Sequence, residues 1–150
     1  MTPRIDVWRK WGLLLFLFGA AGLGLELLLL GHFAEPWQWT PLVLLGLGLV
    51  LGSLMTLRGS RTVVRAFQAL MVAYLVGTGL GIFLHLKSNV EFELELRPTM
   101  AGGELILESL RGAMPALAPG ALAQLGLLGL LITYKHPQLS DRGRPEHEPA

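Results

Sequence analysis

Away from its charged loops, this chain places most of the residues able to do chemistry at Glu26, His32, Glu35 and His85. Imidazole and carboxylate groups are common donors to zinc and copper, and two imidazoles can hold a haem iron from opposite sides. His32 and His85 each fall at the same end of a long apolar run, which puts them at one depth. The expected chemistry is cofactor binding by His32 and His85, with Glu35 as a third ligand if the group is a bare metal ion. No spacing motif joins them, and two such histidines also suit contacts with lipid headgroups or loop carbonyls. Glu26 lies about four turns inside the first apolar run, where a carboxyl is costly and therefore a candidate for proton or cation handling. Tyr74, Thr78 and Gln124 are the polar residues able to hydrogen-bond to it if their helices meet. On an ideal helix Glu26 and His32 are separated by about 9 Å along the axis and point about 120° apart, so they are not expected to share a site.

A second group is acidic. Residues 90–96 read Val-Glu-Phe-Glu-Leu-Glu-Leu, a strict alternation that predicts a strand with Glu91, Glu93 and Glu95 on one face. A single strand leaves an open hydrogen-bonding edge. These glutamates are thus expected either to contact a partner (another membrane or extracytoplasmic protein, or a second copy of the chain) or to form a lid over the helix ends. Residues 104–111 fit a short helix lying on the bilayer surface, with Leu105, Ile106, Leu107 and Leu110 downward.

The elements that would position these groups are apolar helices. The chain is 52% hydrophobic and 15% charged, against about 25% charged in ordinary soluble domains, so the lipid bilayer is its expected surroundings. Four runs emerge, over residues 11–31, 41–57, 63–86 and 113–134. The first has a length of about 31 Å as a helix, one hydrocarbon core, and is too long for a signal-peptide core despite its basic start and small residues near Ala20–Gly22. Trp8, Trp11, Trp37 and Trp39 stand where interfacial aromatic rings collect. Pro115 and Pro119 predict a kinked or late start for the fourth run. Residues 136–150 are Pro-rich and charged, and are expected to be disordered.

Small residues at three- or four-residue spacing provide helix contacts in lipid. Gly19 and Gly22 lead to Glu26, Gly48 and Gly52 pair, Ala73, Gly77 and Gly81 lead to His85, and Ala116 and Gly120 lead to Gln124. The glycines beside His85 would leave room for a flat cofactor. The expected fold is an all-α membrane protein: a four-helix transmembrane bundle with an extracytoplasmic strand–turn–helix loop, residues 88–112, between helices three and four.

Charge orients it. Of the 12 Lys and Arg residues, nine fall in the segments that share a side with both termini, from Arg4, Arg9 and Lys10 to Arg58, Arg61, Arg65, Lys135, Arg142 and Arg144. The positive-inside rule puts that side in the cytoplasm of a multi-pass cell-membrane protein. Short length and the lack of cysteine favour a bacterial inner membrane. The absence of Cys excludes disulfides and thiolate chemistry, and no basic, aromatic-interleaved patch points to nucleic acid. No Ser-His-Asp set, HExxH or phosphate loop occurs, and the Gly77–Gly81 glycines lie inside a span. No catalytic residue is assigned. The first functional expectation is an accessory or interaction subunit using its outer acidic loop. A haem- or metal-binding redox protein using His32 and His85 is the second, and a small proton-coupled transporter using Glu26 the third.

Overall fold

The computed structural model describes residues 3–139. Five helices follow in order: α1 (Pro3–Leu29), α2 (Trp39–Arg58), α3 (Arg61–Leu96), α4 (Gly102–Arg111) and α5 (Gly120–Thr133). Single 3-10 turns, Pro36–Gln38 and Pro137–Leu139, precede α2 and follow α5. The remainder of the tail expected to be disordered, residues 140–150, lies outside the described residues. Three helices are long and apolar enough to cross a membrane, with spans over Val7–Leu29, Pro36–Leu57 and Arg61–Leu96, and α5 is a shorter apolar helix.

The core sits where these four elements meet. Phe16 of α1 packs edge-on against Phe67 of α3, ring centres 5.1 Å apart, and lies 6.2 Å from the Tyr74 ring. Leu45, Met71, Leu122 and Ile132 close around them. Much of the remaining apolar surface faces outward, including Leu15, Phe18, Val76 and Leu131, as expected where lipid tails rather than water surround the helices. Tyr74 donates its hydroxyl to the Leu44 carbonyl at 3.0 Å, so the buried phenol is satisfied by the neighbouring helix. Replacing Tyr74 with Phe is expected to lower stability by about 1 kcal/mol, the net value of one such bond, measured by thermal unfolding in detergent.

The glycine pattern holds in part. Gly48 and Gly52 admit Tyr74, Phe16 and Leu17, and Gly77 and Gly81 admit Leu44 and Pro119. In α5 the contact glycines are instead Gly126 and Gly129, which face Met71, Tyr74 and Phe67. The expected Ala116–Gly120–Gln124 stripe fails because α5 begins only at Gly120, so Ala116 precedes the helix and the four-residue spacing has no helix to act on. Gln124 points outward, away from the bundle interior.

The expected strand over 90–96 is a helix. No strand occurs among the described residues, and α3 runs unbroken for 36 residues, about 54 Å, well beyond a hydrocarbon core of about 30 Å. No Gly or Pro separates the span from the acidic stretch, so a helix already nucleated propagates through Glu and Leu, both good helix formers. Lys87–Glu91 (3.6 Å) and Arg97–Glu93 (2.7 Å) are i,i+4 ion pairs that only a helix brings together. Pro98 then stops it, since the residue before proline avoids helical angles. Alternation therefore splits the glutamates: Glu91 and Glu95 are exposed, while Glu93 is only 8% exposed. After the turn, α4 packs back against the end of α3 as an antiparallel helical hairpin. Arg97 ties it shut, with Glu104 at 3.7 Å and Glu108 at 3.9 Å.

Candidate ligand cleft at the rim of the bundle

The last turn of α1 frees its chain direction at Gly31. The His32 N–H bonds back to Leu27 O and the Gly31 N–H to Leu28 O, with Gly31 at φ 66°, the left-handed closure that glycine makes cheaply. This turn brings His32 over the helix end. Glu35 follows, held by its backbone N–H donating to the Gln38 side chain at 3.1 Å, and Phe33 and Trp39 brace the loop with rings 6.2 Å apart.

His85 reaches the same place from α3, fifty-three residues on. Its ring centre lies 6.4 Å from that of His32, with the ring planes at 58°. His85 Nδ1 is 3.0 Å from the Pro115 carbonyl. A carbonyl only accepts, so Nδ1 carries a proton, which in the neutral imidazole leaves the lone pair on Nε2. Backbone carbonyls commonly orient metal-binding histidines in this way.

The two histidines border a cleft of about 710 Å3, a usual size for a small-molecule or cofactor site. Its walls are mainly apolar, with Leu23, Leu27 and Leu30 from α1 and the turn after it, Leu80 and Leu84 from α3, and Ala118, Pro119 and Leu122 from the α5 approach. Its polar lining is Glu26, Glu35, Gln38, Thr40 and Ser88. Glu26 and His32 thus border one cleft, contrary to the helical-wheel expectation, because α1 ends at Leu29 and ideal helix geometry does not extend to His32. Gly77 and Gly81, the glycines beside His85, line the cleft, and Pro119 packs where a Gly81 side chain would begin.

Other expected members stand elsewhere. Tyr74 is committed to Leu44, and Thr78 to the carbonyls of Tyr74 and Pro119 at 2.9 and 3.3 Å. Gln124 does not reach the cleft. Among the described residues no three His, Asp or Glu side chains gather closely enough to hold a metal ion, so Glu35 shares the cleft without completing a three-ligand set. Glu91, Glu93 and Glu95 belong to the outer hairpin and not to the cleft.

Asn89 escaped the sequence reading. It is 1% exposed, donates to the carbonyls of Ser109 (2.9 Å) and Met114 (2.7 Å), and accepts from the Met114 N–H (3.1 Å). It thereby fixes the irregular strap before α5, including Pro115, whose carbonyl orients His85. It continues the stripe Ala73–Gly77–Gly81–His85 by one more step of four, and Glu93 by a second. Following that spacing past the membrane would have found it.

Partial burial, followed by the nearby His85 charge, lowers the His32 pKa below the usual histidine value. The neutral, ligand-competent form of His32 therefore persists below pH of about 6.5. A depressed histidine stabilises the fold above the unfolded value and loses that contribution as pH falls through the folded one. The protein should lose thermal stability as pH falls below about 6.5, and His32→Gln should flatten that slope.

No family model, curated protein or solved structure matches the chain, so the cleft is read from its own residues.

Proposed function

We propose that the protein is a multi-pass membrane protein that holds a metal centre between His32 and His85 at the rim of its bundle. The observation behind this reading is the meeting of two sequence-distant histidines, 6.4 Å apart, in one apolar-walled cleft. The bundle would have four crossings. Helix α5 has 14 residues, about 21 Å, and residues 113–119 would complete its path through the bilayer. Arg9, at the start of α1, bonds to the carbonyls of Ile132, Tyr134 and Lys135 at the end of α5, which favours both ends lying at one face. With most cations in the segments of that face, it would be the cytoplasmic one of a bacterial inner membrane, and the cleft would open on the other.

The test is metal analysis of the full chain purified in mild detergent. About one iron, copper or zinc per chain is expected, with loss in His32→Ala and in His85→Ala at unchanged elution volume. A wild-type protein without metal, even after incubation with these ions and with hemin, would sink the proposal.

An interaction subunit is the second reading. It is favoured by the exposure of Ile106, Leu107 and Leu110 on α4, beside the exposed Glu91 and Glu95. A partner co-purifying with the wild type but not with Ile106→Ser/Leu110→Ser would support it. Proton-coupled transport through Glu26 gains nothing from Gln124, which faces away from the cleft.

A further inference from the structure

Resting on that metal-centre reading, we infer that the group held by His32 and His85 is an iron tetrapyrrole bound through both axial positions, and not a bare ion. The donor count comes first. A metal ion bound by protein alone generally takes three or four side-chain ligands, and the described residues offer no cluster of three. A tetrapyrrole brings its own four equatorial nitrogens and asks the protein for axial ligands only. Two histidines are an incomplete set for an ion and a complete one for haem.

The spacing agrees. A metal–imidazole bond is about 2.0 Å, and the ring centre lies roughly 1.1 Å beyond the nitrogen. Two imidazoles on opposite sides of one metal therefore have ring centres about 6.3 Å apart, whereas adjacent positions of a tetrahedral ion bring them to about 5 Å. The separation here is 6.4 Å. The 58° between ring planes is compatible with either, because each ring can turn about its metal–nitrogen bond.

The surroundings suit a flat apolar group. Leu23, Leu27, Leu80 and Leu84 line the cleft, and its volume of about 710 Å3 is that of a cofactor site. Its lining holds Glu26 and Glu35 and no lysine or arginine. Haem propionates would therefore stay in the water at the mouth and not enter the cleft, since an unpaired carboxylate beside another is repelled. His85 would bind through Nε2, because Pro115 holds Nδ1–H.

Titration of the metal-free full chain with hemin in detergent tests this. The expected result is saturation at one hemin per chain, a sharp Soret band, and a low-spin six-coordinate iron signal in electron paramagnetic resonance. His85→Ala and His32→Ala should each convert the iron to a high-spin form and weaken binding at least tenfold. A Soret change of equal size in the double variant would reveal partition into micelles and overturn the inference. Binding of iron, copper or zinc at one per chain that needs both histidines, without any hemin signal, would overturn the haem assignment while leaving the metal-centre reading intact. Failure of both hemin and the ions would remove both.

Discussion

Asn89→Ala is expected to detach the strap that precedes α5 and to cost roughly 3 kcal/mol. The substitution removes three hydrogen bonds and leaves the Ser109 and Met114 carbonyls and the Met114 N–H without their partner. An unsatisfied buried group costs about 1–3 kcal/mol, and part of this set can recover water at the rim. The effect should reach the cleft, because Met114 and Pro115 line it and Pro115 orients His85. Two readouts check this. Limited proteolysis between residues 97 and 118 should accelerate at least tenfold, and, if hemin binds as proposed, its affinity should fall with the histidines intact. Asn89→Asp should be nearly as damaging, since it can still accept from Met114 but presents a carboxylate oxygen to two carbonyls. Wild-type protease resistance in Asn89→Ala would mean that the strap is held by something else.

Gly129→Leu should be strongly damaging, lowering stability by about 3 kcal/mol, with loss of monodisperse protein on extraction. Met71 and Phe67 already occupy the space where a side chain at 129 would begin. Gly129→Ala should cost much less, about 1 kcal/mol, because the methionine side chain is flexible enough to shift. Leucine has no such escape and must push α5 away from α3, the most extensive packing in the molecule. The contrast separates crowded glycines from open ones. Gly22, with nothing near it, should accept alanine or leucine with little change in the thermal midpoint, and a similar loss at both positions would argue against the α3–α5 packing described.

The long apolar runs were legible because lipid imposes length and composition on them; α2 matches its expected run to within two residues, while α1 starts eight residues earlier and α3 ends ten residues later than expected. The acidic stretch was not. Over seven residues an alternation of Glu with apolar residues satisfies a strand, but it does not register that the preceding helix has no reason to stop before Pro98. The ion pairs Lys87–Glu91 and Glu93–Arg97 were present in the sequence as i,i+4 signals that favour the helix. The histidines were legible as neighbours in depth, since each ends an apolar run. Their closeness was not, because it depends on the left-handed turn at Gly31 and on Pro115. Asn89 was least legible of all, since its partners are backbone atoms 20 and 25 residues away, which no side-chain motif records.

The claim on which the rest depends is that His32 and His85 face each other across one cleft. The chain has no cysteine, so His32→Cys combined with His85→Cys yields a protein with two thiols only. In native membranes a short bifunctional thiol reagent is predicted to link them rapidly within one chain, seen as a compacted band and an intact-mass increase of one linker. Leu28→Cys with His85→Cys, in which Leu28 is exposed away from the cleft, should link slowly or not at all. No link in the His32/His85 pair, or equal linking in the control pair, would contradict the site.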